Sequence, residues 1–187
     1  SEGFDPHKDL DRVGVVNQTT MLATETQAIA NYFREVMIKK FGEANSKDHF
    51  ADTRDTLCYA TNDNQDATYE LMNIPADLAI VVGGYNSSNT SHIAELCEQK
   101  FPTYFINSER EIVSEETINH FNIHSKKKES TGNYLKGGVP LRIVLTSGAS
   151  CPDTLVDRVL TRILEFYPEA SPINQVVAES LNRLSRH

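Results

Sequence analysis

The sequence predicts an α/β fold built on parallel sheet, and three observations carry that expectation. Short runs rich in β-branched residues alternate with longer stretches of 3.6-residue apolar period. The most apolar run, Leu78–Val82, is unbroken rather than alternating, as a strand covered on both faces requires. It ends directly on Gly83-Gly84, and helical patterns begin a few residues later. Strand, crossover helix and next strand in this order build a parallel sheet with helices on both faces.

Taken in order, Arg12–Asn17 reads as a first strand. Thr24 with Gln27 three residues on reads as a capping box opening a helix over Ala28–Phe41, where Ile29, Phe33, Val36, Met37 and Phe41 keep the helical period. Thr56–Ala60 reads as a shorter strand, followed by a helix over about Gln65–Met72. Leu78–Val82 is the central strand; a helix follows from about Asn89 to Gln99, then a strand at Thr103–Ile106. Glu111–Gly138 sustains no period and is expected to be irregular, with a short helix near Glu115. Arg142–Thr146 is the last strand and Pro152–Phe166 the helix after it. Pro168 and Pro172 then break the chain before a final helix, Ile173–Leu184.

Composition narrows the function. The 187 residues make one large domain or two small ones, and the 39% apolar content can fill a core without disulfides or a structural metal. The formal charge of −8 argues against a nucleic-acid or anionic-membrane partner, since both need a basic face. Mean hydropathy is −0.41 and the longest apolar run is far short of a bilayer span. The polar first residues are not a signal peptide. Three cysteines, Cys58, Cys97 and Cys151, form neither an even framework nor a CxxC pair, which favours a reducing compartment. The chain does not begin with Met, and a fragment or processed piece is expected.

In parallel α/β sheets ligands bind outside the carboxyl ends of the strands, so the residues after each strand are the informative ones. They are Asn17–Thr20, Cys58–Asn62, Gly83–Asn89 and Thr146–Ser150: hydroxyls, carboxamides and glycines, with no charged side chain among them. Hydroxyl donors and glycines before helix N-termini suit an anion, most simply a phosphate or diphosphate. Ser, Thr and Asn also cap helices in most α/β proteins with no ligand involved. Cys58 stands among these polar residues and can be a nucleophile, a metal ligand or simply a small side chain; no His lies in the loops to serve it as a base. Cys97, in the middle of a helical pattern, reads as a packing thiol.

Other motifs read as incidental. Asn17-Gln-Thr, Asn86-Ser-Ser and Asn89-Thr-Ser match the glycosylation sequon but sit at sheet ends. His120 and His124 have the i,i+4 spacing of a zinc pair on a helix, but their stretch alternates and nothing completes a ligand set. Lys126–Lys128 reads as a solvated loop face. Gly83-Gly84 lacks the remaining glycines of a dinucleotide fingerprint.

Four ordered motifs carry a resemblance. Gln18-Thr19-Thr20, Thr56-Leu-Cys58-Tyr-Ala-Thr61 with Asn64-Gln65-Asp66-Ala67, Val81-Val-Gly-Gly84-Tyr-Asn86-Ser-Ser-Asn89-Thr90, and Thr146-Ser-Gly-Ala-Ser150 with Pro152-Asp153 together resemble the LytB family. These are the reductases of 4-hydroxy-3-methylbut-2-enyl diphosphate (HMBPP) in the non-mevalonate isoprenoid pathway. The likeness runs from about residue 10 to 165, and the long segment between the first two motifs is similar to the plant and cyanobacterial branch.

The resemblance implies a trefoil of three α/β domains around a central 4Fe–4S cluster held by three cysteines. HMBPP bound there is reductively dehydroxylated to isopentenyl and dimethylallyl diphosphates, with ferredoxin or flavodoxin as electron donor. It implies that Cys58 is one cluster ligand; that Ser87, Ser88, Asn89 and Ser150 bind the diphosphate; and that Thr19, with Gln18 beside it, contacts the substrate hydroxyl and helps deliver a proton. The chain would then be the C-terminal portion: 1–52 the end of the second domain, 53–150 the third, and 151–187 a helical tail. The family's other cysteines, histidines and glutamate lie in a part not matched here, and Cys151 stands where the family usually has Thr or Ala. One thiolate does not hold such a cluster, so the piece alone is expected to be inactive and cluster-free, its parent cytoplasmic, or plastidic if from a plant or alga. The competing reading is a stand-alone α/β module that grips a phosphorylated ligand without redox chemistry; the parent reading frame discriminates.

Overall fold

The computed structural model describes residues 2–16, 18–51, 58–135 and 140–184. Its elements, in chain order, are helix α1 (Pro6–Asp9), strand β1 (Val13–Gly14), α2 (Ala23–Phe41), α3 (Ser46–His49), β2 (Phe50–Ala51), α4 (Tyr59–Met72), β3 (Leu78–Val82), α5 (Ser88–Glu98) and β4 (Thr103–Ile106). A short 3-10 turn (Glu109–Glu111) leads to β5 (Thr117–Asn122), β6 (Lys127–Gly132), β7 (Ile143–Ser147), α6 (Asp153–Leu164) and α7 (Ile173–Leu184). The α/β expectation holds. No described helix is long and apolar enough to cross a membrane.

The core is a three-stranded parallel sheet in the order β4-β3-β7. All five residues of β3 are buried, which explains its unbroken apolar run. Alternate side chains serve opposite faces. Ala79 and Val81 pack with Phe105, Val144 and the α5 residues Ile93, Ala94, Leu96 and Cys97. Leu78, Ile80 and Val82 pack with Ile106, Ile112, Ile118 and the α6 residues Val159 and Ile163. Each large aliphatic side chain fully buried here contributes about 1.5–3 kcal/mol. A smaller parallel pair, β1 with β2, is bridged in sequence by α2 and α3.

Several local expectations need correction. Among the described residues the first strand is Val13–Gly14, shorter than Arg12–Asn17, and pairs with Phe50 and Ala51; Asn17 lies outside the described residues. Helix α2 starts at Ala23 with Leu22 as N-cap, so Thr24 is inside the first turn and caps nothing. A tertiary partner does the capping instead: Gln65 Oε1 accepts from Ala23 N at 3.1 Å, and Leu22 is anchored in the core. Residues 59–60 are helical rather than extended, α4 beginning directly after Cys58; residues 56–57 lie outside the described set. The inward face of α4 is polar (Thr61, Gln65 and Thr68 are its buried residues), so no apolar period marks its first two turns.

The expected irregular stretch after Glu111 is an antiparallel hairpin, β5 with β6. Asn122 Oδ1 closes its turn by accepting from His124 N and Ser125 N, both at 2.9 Å, and Lys126 takes the left-handed conformation at φ 56°. Lys127 and Lys128 are strand residues rather than loop. Only Ile118 of β5 is fully buried and β6 is polar, so the alternation is too weak to announce a strand pair.

Candidate functional site

The sheet order decides where a ligand can sit. From β3 the chain crosses through α5 to β4 on one side, and through the hairpin it returns to β7 on the other. The loops after β3 and β7 therefore leave neighbouring strands in opposite directions, the place at which open α/β sheets bind ligands. The expectation of four loops at one sheet edge is narrowed: among the described residues only these two of the four follow strands of the same sheet. The 18–21 turn belongs to the β1–β2 unit, and the residues before α4 form no described strand.

The two loops are bonded to each other. Gly148 N donates to Val82 O (3.1 Å), Ser87 N to Gly84 O (2.9 Å) and Cys151 N to Gly148 O (2.8 Å). Ser87 caps α5, its Oγ accepting from Thr90 N at 3.2 Å, which leaves its own O–H free to donate. Asn89, 3% exposed, accepts from Ala149 N through Oδ1 at 2.7 Å. Its Nδ2 is buried with no protein partner, and so is Thr90 Oγ1 beneath it in the first turn. Thr90 fills the junction so tightly that a Cβ on Gly83 or Gly148 would lie 2.5 or 2.0 Å from its hydroxyl. Both positions therefore require glycine. Ser88, the first residue of α5, and Ser150, in the turn before α6, are both exposed.

Side-chain amides of α4 tie in the remaining elements. Gln65 Nε2 donates to Met21 O (2.9 Å) while its Oε1 holds Ala23 N, fastening the turn that carries Gln18 and Thr19. Asn64 Nδ2 donates to Ser147 O at 2.6 Å, and Thr68 Oγ1 donates to Asn64 O and lies 3.4 Å from Thr146 Oγ1. Gln18 and Thr19 are exposed, and Thr20 Oγ1 is buried without a protein partner. Ser87, Asn89 and the 148–150 loop thus form one bonded unit, and among the described residues Gln18 and Thr19 are linked to it through α4. Residue type alone does not assign Asn64 and Gln65 this stapling task; their place in the Asn64-Gln65-Asp66-Ala67 motif is the signal.

Cys58 is exposed and is the N-cap of α4, with Thr61 N and Asn62 N donating to its carbonyl at 3.0 Å. Cys97 is buried, and burial with Glu98 beside it pushes its thiol up to about 11, so it is a neutral packing group. Burial, with a contribution from Asp153, raises the Cys151 thiol as well. Among the described residues no group of three or more His, Cys, Asp or Glu could hold a metal ion. An exposed thiol fits one corner of an iron–sulfur cluster; the described residues do not form a site for a whole one. His120 and His124 are no zinc pair: His120 Nε2 lies 2.9 Å from Thr131 Oγ1, and His124 Nε2 pairs with Glu98 at 2.8 Å.

Chemically, the two loops offer neutral donors: a buried carboxamide N–H, serine hydroxyls and the first turn of α5. Such a set holds an anion rich in oxygen and supplies no general base.

Comparisons with known proteins identify the family. The chain is 46% identical over 166 residues to the 4-hydroxy-3-methylbut-2-enyl diphosphate reductase of Gloeobacter violaceus, covering 88% of this chain and 39% of that protein. It is 43% identical over 173 residues to the reductase of the same name from Picosynechococcus, covering 92% and 42%. The chain thus spans about two fifths of the length of these curated relatives. The fold matches the structure of the E-1-hydroxy-2-methyl-but-2-enyl-4-diphosphate reductase from Plasmodium falciparum with a TM-score of 0.53 at 22% identity, over 82% of this chain and 39% of that one. The family model described as LytB protein matches residues 2–164, and the chain belongs to the LytB family.

Proposed function

We propose that this chain is the diphosphate-gripping portion of an oxidoreductase that converts HMBPP to isopentenyl and dimethylallyl diphosphates. Asn89 carries the reading. Its Oδ1 is committed to Ala149 N, so its buried Nδ2 is a fixed donor with no protein acceptor. Leaving such a donor unpaired costs about 1–3 kcal/mol, which an anionic oxygen bound at the two loops would offset. Ser87, Ser88 and Ser150 supply further donors on the same two loops, and Gln18 lies beside Thr19, whose hydroxyl meets the substrate's leaving hydroxyl.

The name of the curated relatives supports HMBPP as the substrate. In the whole protein Cys58 is one thiolate of a 4Fe–4S cluster, which supplies electrons when bound; the other ligands come from outside the described residues. The chain alone is accordingly cluster-free and inactive. The proposed division is 1–52, 53–150 and 151–187, parts of a three-domain trefoil, with α6 packed on the middle unit. Ferredoxin or flavodoxin is the proposed electron donor, and the cytoplasm, or a plastid in a plant or alga, the proposed location.

The test is a titration of the chain with inorganic pyrophosphate, followed by amide chemical shifts. Shifts at Ser87–Thr90 and Ser147–Ser150 are expected. Shifts confined to Lys126–Lys128 would mean nonspecific charge attraction and would overturn the preformed site.

A further inference from the structure

Gly83-Gly84 gives the β3 loop freedom that a binding loop must lose, since productive sites are held to within about 0.5 Å. Gly83 is locked against Thr90, but nothing lies within 4 Å of a Cβ placed on Gly84. The restraint comes from the next residue. The Tyr85 ring stacks on Phe121 of β5, with centroids 4.8 Å apart at 19°, and meets Phe105 of β4 edge-on at 5.3 Å. Its hydroxyl donates to Glu111 Oε1 at 3.3 Å. The same oxygen accepts from Lys128 Nζ of β6 at 2.6 Å, and that ammonium lies 5.3 Å from the Tyr85 ring centroid. The Glu111 side chain is only 12% exposed, so the pair is less screened than an ordinary surface pair.

We propose that the β5–β6 hairpin and the 3-10 turn before it are a positioning device for the diphosphate loop: Glu111 of the turn and Lys128 of β6, acting through Tyr85, hold Ser87 and Asn89 in place for the anion. The inference rests on the diphosphate reading of that loop. Lys128 is not itself an anion ligand, because its charge is spent on Glu111. Positioning and long-range charge therefore predict opposite signs. Removing Glu111 makes the chain less acidic, which favours an anion through space, but it releases Tyr85, which disfavours binding.

The experiment measures two quantities on the chain: its affinity for inorganic pyrophosphate, and, without ligand, hydrogen exchange at the Ser87 and Thr90 amides. Glu111→Ala is expected to weaken pyrophosphate binding about fivefold and to speed exchange at Ser87 by a similar factor, the loss of one partly buried hydrogen-bonded contact. Lys128→Met should do the same, Lys128→Arg should restore both, and Lys127→Met should change neither. Tighter binding in Glu111→Ala, or equal weakening in Lys127→Met and Lys128→Met, overturns the proposal, as does unchanged exchange in both Glu111→Ala and Lys128→Met. Should the unaltered chain give no pyrophosphate shifts at Ser87–Thr90, the diphosphate reading falls. The exchange arm then decides the brace alone, faster exchange supporting it and unchanged exchange overturning it.

Discussion

At the scale of single residues, the two loops are set by one amide and one hydroxyl. Asn89→Ala leaves Ala149 N unpaired but also removes the buried unpaired Nδ2. The two terms partly cancel, so the expected cost is about 1 kcal/mol in urea unfolding, at the low end of the roughly 1–3 kcal/mol for leaving a buried partner unpaired. Pyrophosphate binding should nevertheless disappear, and Asn89→Asp should abolish it too, since it keeps the acceptor for Ala149 N but places a buried carboxylate where a donor is needed. Retained binding in Asn89→Asp would show that the donor is not used. Gly148→Ala sets a methyl 2.0 Å from Thr90 Oγ1 and 3.3 Å from Thr90 Cα, so the backbone must move. A loss of about 2 kcal/mol is expected from such overpacking, whereas Gly84→Ala, with open space at its Cβ, should cost less than about 0.5 kcal/mol. Urea midpoints of the two variants side by side check this.

At the scale of elements, legibility followed the core. Strands β3, β4 and β7 and helices α5 and α6 each present apolar residues to a sheet face, and the sequence pattern located all of them within two residues. The start of α4 and the β5–β6 hairpin were missed because polar contacts fix them: Asn64, Gln65 and Thr68 bind carbonyls and hydroxyls of other segments, which no periodicity encodes. The loops after β3 and β7 were legible as donors, but their bonding through Asn89 and Ala149 was not, since it joins residues 60 apart in sequence. The hairpin makes a prediction of its own. His120 on β5 faces Tyr104 and Thr131, and burial lowers its pKa; Glu129 and Glu98 offset this only in part. The unfolded chain therefore takes up the proton first. Its contribution to stability is complete above the ordinary histidine value of about 6.5 and is lost as pH falls from there through the lower folded value. The urea midpoint should drop more steeply below about pH 6.5 in the natural chain than in His120→Gln; equal slopes would mean the buried imidazole is not what titrates.

At the scale of the whole molecule, a chain of formal charge −8 that covers 39% of its curated relative supplies donors and one exposed thiol but, among the described residues of the two loops, no cation. Its contribution is best measured in the full-length protein. There Cys58→Ser should abolish the broad visible absorption of the proposed 4Fe–4S cluster, because an alcohol oxygen replaces a thiolate, while Cys97→Ser should leave it intact. A normal spectrum in Cys58→Ser removes Cys58 from the ligand set. Thr19 and Asn89 should separate kinetically. Thr19 is proposed to orient the leaving hydroxyl and pass a proton, so its contribution belongs to the chemical step; Thr19→Val keeps the shape, deletes only the hydroxyl, and should lower kcat more than it raises KM. Asn89 is proposed to hold the far end of the substrate, so Asn89→Ala should raise KM, any loss in kcat following from a misplaced hydroxyl. The two variants are to be compared in steady-state kinetics with HMBPP. Should Thr19→Val change only KM while Asn89→Ala changes only kcat, the two roles are exchanged and the residue assignments fail, although family membership, which rests on the match over residues 2–164, would stand.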